Sequence, residues 1–265
     1  MTNFSVTRNG KVLDPNLYNW DEKNKTFSTN EDRLVLDFTN VYGVTFNTGH
    51  SCIFNTGPSC IFNTSSYCTF NTGTSCTFNT GDYCTFNTGC HCTFKTGYHC
   101  TFNTGYSCAF NTSSECTFNT GHSCIFDTGS DCTFKTGYHC TFSTSFGCTF
   151  NTGPYCTFNT SSCCKFNTGS DCIFNTSYSC TFKTGSDCTF KTSTDCTFKT
   201  GSNCTFKTCY DCTFEVGDNC SLIRHDVKGV TEIPTDKKIK LNGPKIDGYT
   251  IVEEKKEVPI TEVKE

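Results

Sequence analysis

Eight residues, repeated without an insertion or a deletion, constrain this chain more than any other feature. Cys falls at every eighth position from Cys52 to Cys220, 22 times in register, and Phe follows the same rule from Phe38 to Phe214. The consensus is Cys-Thr-Phe-Asn-Thr-Gly-X-X, and the octads extend from Leu36 to Val227 with Leu36, Val44 and Leu222 as conservative variants at the edges. A strict short period is the mark of stacked repeats, because one such unit cannot bury its apolar side without neighbours.

Cys, Thr, Phe, Asn and Thr alternate with the period of a strand, and the Gly or Ser with two variable residues that follows reads as a turn. Phe is the largest apolar group and does not vary, so the side it shares with Cys and the second Thr is the core. The first Thr and the Asn then face water.

The glycine position reveals how many octads close one coil. Of the 22 octads from Val44 to Asn219, seven lack Gly: Ser65, Ser113, Ser145, Ser161, Ser177, Ser193 and Cys209. All seven are separated by multiples of 16, while the alternate positions, Gly57 through Gly217, are Gly in 11 cases of 11. Coils of 24 or 32 residues do not produce this split. The expected fold is therefore all-β: a flattened, two-sided parallel β-solenoid with 16 residues, or two octapeptides, per coil and about 12 coils. At a strand spacing of ~4.8 Å the body is roughly 55 Å long.

Open ends of such a body invite end-to-end growth, so caps are expected. Residues 1–35 read as the N-terminal cap, with a hairpin over Ser5–Leu13 about Asn9-Gly10 and with Trp20, Phe27 and Leu34 covering the first Phe. Residues 36–227 form the solenoid. Residues 228–251 read as a C-terminal β cap with strand-like runs at Val230–Ile233, Lys238–Leu241 and Tyr249–Val252 and a turn at Asn242-Gly243. Residues 252–265 read as a charged, flexible tail.

Several function classes fall away. The net charge is −4 and the charged residues are spread along the chain, so no basic field exists to hold nucleic acid. No stretch approaches the roughly 20 apolar residues that cross a bilayer. Met1 to Gly10 lacks the apolar core of a signal peptide, and the expected location is intracellular or virion-associated. No Ser-His-Asp set, paired-carboxylate cleft or phosphate loop stands out, so neither catalysis nor a cofactor is expected.

Twenty-five cysteines raise the question of disulfides or metal. Cysteines 16 residues apart lie about 4.8 Å apart on parallel strands with parallel Cβ vectors, which suits a disulfide poorly, and across the core Cys meets Thr. The ladder reads as buried reduced thiols acting as small hydrophobes. Cys90, Cys163 and Cys209 break register, sit in turns and are the expected exposed thiols. His50, His91, His99, His122, His139 and His225 also fall in turns or near the end. His91 and His139 share an edge but are three coils apart, about 14 Å, so no metal site is expected.

The outer faces are the remaining candidates for function. One presents Thr69, Thr85, Thr101 and Thr117 beside Asn71, Asn87, Asn103 and Asn119, a flat uncharged grid that continues to Thr133 and Thr149 and begins at Asn55. The opposite face is broken by Ile61, Lys95, Ala109, Ile125 and Asp127. Beyond about residue 180, Lys183 and Lys199 stack on one face and Lys191 and Lys207 on the other, which opposes sheet-on-sheet aggregation.

Runs such as Cys188-Thr-Phe-Lys-Thr-Ser, the preceding Leu34-Val-Leu-Asp-Phe and the closing Cys220-Ser-Leu-Ile-Arg-His-Asp carry a resemblance to uncharacterised octapeptide-repeat β-solenoid proteins of viral and environmental origin. That resemblance spans nearly the whole chain and implies an architecture, but no catalytic residues. A weaker likeness is to β-solenoid antifreeze proteins, whose outward Thr-X-Thr ladders become Thr-X-Asn in this chain, with Lys135 and Lys165 interrupting the face. The expectation is a non-catalytic structural or interaction protein that binds a protein partner, or itself, through a flat face or its turn edges. Ice binding through the Thr69–Asn119 grid is the alternative.

Overall fold

The computed structural model describes residues 4–235 and 237–252; the tail expected from 252 onward lies, past its first residue, outside them. Each octad from Val44 to Asn219 forms one strand of three or four residues about its Phe, as in Thr101–Thr104 and Ala109–Thr112. Successive strands enter opposite sheets, one of 16 strands and one of 15. Within a sheet each strand pairs in parallel with the one 16 residues on, so that Thr101 meets Thr117, Phe102 meets Phe118 and Asn103 meets Asn119. Among the described residues, antiparallel strands occur only at the ends, two at each end of one sheet and one at each end of the other, leaving 12 and 13 parallel strands. The chain is a two-sheet parallel β-solenoid of about 12 turns with 16 residues per turn.

Phenylalanine fills the middle. Phe102 stacks on Phe118 with centroids 4.8 Å and planes 3° apart, and meets Phe110 across the core at 5.2 Å and 78°. Each ring from Phe62 to Phe198 is thus held by two stacked and two edge-to-face neighbours, each pair adding about 0.5–1.5 kcal/mol to the roughly 1.5–3 kcal/mol of burying one Phe. Carbon atoms in contact sit ~3.5–4 Å apart, so rings with centroids at the strand spacing must be inclined to the solenoid axis. Any rotation between strands then appears as an angle between ring planes. That angle is 3° for Phe102 and Phe118 and 2° for Phe150 and Phe166. The sheets are nearly flat, against the roughly 20–25° per strand of ordinary sheets.

Cys and Thr columns flank the rings. The Cys100 thiol donates to the carbonyls of Gly81 at 3.6 Å and Tyr98 at 3.4 Å, a pattern repeated along both columns. Inner Thr hydroxyls are less well served. Thr104 reaches only the Gly105 carbonyl at 3.4 Å, and Thr96 has no well-formed partner and lies against the Cys100 thiol.

The turns differ from the sequence reading in which residue makes the bend. The last octad position adopts the left-handed conformation in all 22 turns from Ser51 to Asn219, with φ between 53° and 73°, and only Gly147 is a glycine there. The glycine two residues earlier has a different task. A Cβ on Gly121 would stand 2.9 Å from the Tyr106 nitrogen of the preceding coil. Glycine is required by close stacking of coils, not by φ. The edge that is always Gly is also the tighter one: Gly137 N to Gly121 O is 3.1 Å, whereas Ser177 N to Ser161 O on the other edge is 3.4 Å.

At the N-terminal end the octad register slips by two residues. Leu36, not Phe38, stands beside Phe54, and Phe38 stands beside Thr56. Parallel pairing begins at Thr26–Ser28, where Phe27 takes the core position beside Phe46. Phe38 remains a core ring because Phe4 stacks on it at 4.2 Å and Phe46 meets it edge-on at 5.0 Å. The hairpin about Asn9-Gly10 pairs Thr7 with Val12, and Trp20 pairs with Phe27. At the other end, antiparallel strands at Val230–Glu232, Ile239–Leu241 and Tyr249–Ile251 close the two sheets.

Candidate functional site

The strands place the eight grid residues on one face of the 16-stranded sheet. Thr69, Thr85, Thr101 and Thr117 form one column, and Asn71, Asn87, Asn103 and Asn119 the next. The asparagines are not free hydrogen-bonding groups. Each amide nitrogen donates to the amide oxygen of the coil before it, Asn71 to Asn55 at 2.9 Å, Asn87 to Asn71 at 2.9 Å, Asn103 to Asn87 at 3.1 Å and Asn119 to Asn103 at 3.4 Å. The ladder ends where Lys135 pairs with Asn119. One donor and one acceptor of each inner amide are therefore spent inside the protein.

The second sheet is chemically different. Its outer columns carry Ile61, Ala109, Ile125 and Ile173 beside Lys95, Asn111 and Asp127. Ile61, Ile125 and Ile173 are 44%, 59% and 53% exposed.

Ring ladders run along the turn edges, a feature that sequence reading passed over because each ring occupies a variable position. Tyr106, His122 and Tyr138 stack at 5.0 and 4.6 Å, and His139 stacks on Tyr155 at 4.9 Å. On the other edge Tyr67, Tyr83 and His99 stack at 5.0 and 4.7 Å, and His99 faces Glu115 at 3.4 Å. These residues are i and i+16, so the signal was available in the coil length.

Of the turn thiols, Cys163 is exposed, and Cys90 and Cys209 are half-buried. Burial, reinforced by the Asp226 charge, pushes the Cys209 thiol up. Within the ladders, hydrogen bonding between neighbouring sulfurs sets the pattern. The bond from Cys164 pulls Cys180 down, but Cys196 and burial together carry it up to about 11. Cys196 is pulled down by Cys180 yet raised by Cys212 and burial to about 12. Among the described residues, no group of three or more His, Cys, Asp or Glu is arranged to hold a metal ion.

Arg224 was not singled out from sequence, since it reads as one more charge near the C-terminus. It occupies the inner Thr column above Thr208 and is fully buried. Its guanidinium binds Asp226 through two bonds of 3.0 and 2.6 Å and donates to the carbonyls of Ile246 at 2.8 Å and Gly243 at 3.2 Å. This side chain plugs the core and pins the loop that closes it.

No protein-family model matches the chain, and no curated protein matches it. Among solved structures, it is similar to ORF18 of Geobacillus virus E2, with 10% identity, 75% of this chain and 52% of that chain covered, and a TM-score of 0.20. The chain thus spans about half the length of that viral protein. A score this low carries no inference about either fold or activity.

Proposed function

We propose that the chain is a non-catalytic rod that acts by contact, engaging a protein partner or another copy of itself through its flat outer faces. The observation that carries this reading is the near absence of twist in the Phe stack, which keeps outward residues of successive coils in straight columns. A core packed with rings leaves no interior for a substrate. The recess beside Tyr18, Ser28, Asn47 and Asn63 is an open polar groove on the outside of the first turns. The resemblance to viral and environmental octapeptide-repeat proteins supports the same reading and a virion-associated setting.

Ice binding is the second reading, favoured by the unbroken threonine column from Thr69 to Thr149. The Asn ladder argues for contact instead, because amides bonded to one another have fewer groups left to order water. Thermal-hysteresis and ice-recrystallisation assays separate the two. The contact reading predicts no activity; activity that Thr101→Tyr abolishes would replace it with ice binding.

A further inference from the structure

The isoleucine-bearing face of the 15-stranded sheet has a pattern that complements itself. We propose that two copies of the chain pair face to face and antiparallel through this sheet, about a two-fold axis that passes at Asn111. The proposal deepens the contact reading, on which it rests, by naming the partner of one face.

The geometry follows from the columns. An axis lying in the interface along the strand direction reverses the order of coils in the second copy while keeping each column opposite itself, as an isologous contact requires. With Asn111 on the axis, Lys95, one coil before it, faces Asp127 of the second copy, one coil after it. Asp127 faces the second copy's Lys95 in turn. In the neighbouring column Ala109 faces itself, Ile125 faces Thr93, Ile61 faces Thr157 and Ile173 faces Thr45. Each of these isoleucines meets a threonine, and no like charges oppose one another.

The ends obey the same symmetry. Lys191 and Lys207, stacked in adjacent coils, fall opposite the Ser28 and Asn19 rows of the second copy. Asp21 stands two residues from Asn19 on the same strand, within reach of Lys207. A repulsive pair within one chain thereby gains an acidic neighbour from the other. Moving the axis by one coil, or turning it parallel to the solenoid, removes the Lys95–Asp127 match.

The size is adequate. A strip about 12 Å wide and about 60 Å long removes roughly 700 Å² per copy and about 1,400 Å² in all, within the ~1,200–2,000 Å² of specific interfaces. Flatness makes this possible, since a twisted face would part from its copy after a few coils.

Sedimentation equilibrium of the full chain tests the proposal. The expected result is a monomer–dimer equilibrium whose Kd rises about tenfold or more with Lys95→Glu or with Asp127→Lys, each of which turns two exposed attractive pairs into repulsive ones. The double reversal, Lys95→Glu with Asp127→Lys, is expected to return Kd to within about threefold of the starting value, as a restored pair requires. Ala109→Trp, which faces itself across the axis, gives a monomer, and Thr197→Trp on the other sheet leaves Kd unchanged. Far-UV circular dichroism identical to the parent shows that the variants fold. A chain that stays monomeric at all concentrations, or a dimer indifferent to both reversals, overturns the proposal. Neither outcome touches the contact reading, which the ice assays decide separately.

Discussion

Phe102 and Phe118 lie 16 residues apart in sequence and 4.8 Å apart in space, with ring planes only 3° from parallel. Because each ring is clasped from above, below and across, the loss of one is felt by several neighbours. Phe102→Ala is expected to cost about 3–5 kcal/mol, as for other buried rings. Hydrogen exchange reads it: protection should drop first in the strands around Phe86, Phe110 and Phe118 and remain unchanged near Phe198.

The two turn positions predict substitutions of opposite sign. Ser107 is left-handed, with φ 54°, so Ser107→Gly is expected to stabilise by about 1 kcal/mol or less. Gly121 is not left-handed, yet Gly121→Ala is expected to destabilise by about 1–3 kcal/mol through overlap with the coil before it. Urea midpoints of the two variants supply the check. Alanine at Gly121 proving neutral or stabilising would mean that coil stacking is looser than described.

Arg224 ties the closing loop to the last coil. Arg224→Met removes the guanidinium's bonds and leaves the partly exposed Asp226 without its partner, and is expected to cost about 1–3 kcal/mol at that end. The same contact predicts acid sensitivity. The hydrogen bonds from Arg224 hold the Asp226 carboxyl below its ordinary 3.8. A depressed value contributes stability above the ordinary one that is lost as pH falls through the folded value. Protection of the Lys245 amide, which donates to Asp226 at 2.9 Å, should therefore fall at pH below about 3.8 in the parent and be low at every pH in the variant.

The thiol ladder gives an alkaline limit. Cys180 and Cys196 are raised to about 11 and about 12 from the ordinary 9.0. Their contribution is complete below pH 9.0 and is lost as pH rises toward those values, since only the unfolded chain ionises there. Urea midpoints should fall between pH 9 and pH 11. Alkylation at pH 8 should label Cys163 quickly, the half-buried Cys90, Cys209 and Cys220 slowly, and the in-register thiols from Cys52 to Cys212 only after unfolding.

Much of this architecture was legible because the chain states it more than twenty times. The split of Gly and Ser at alternate octads gave the coil length, and the edge that is always Gly is the one with the shorter hydrogen bonds between coils. The left-handed residue was hidden, because Ser, Tyr, His and Asp occupy a position where glycine would have announced itself. The two-residue slip at Leu36 was hidden for a related reason: Phe38 keeps the octad spacing although its strand does not keep the register. The outer grid was legible as columns of Thr and Asn. That its amides bond to each other depends on side-chain distances that no repeat pattern records.

A crystal structure resolving the side chains of the central coils tests the central claim most directly. The account predicts Phe102 parallel to Phe118 near 4.8 Å and edge-on to Phe110 near 5.2 Å, with Thr101 and Asn103 outside. A three- or four-sided coil, or rings turned to solvent, would contradict it.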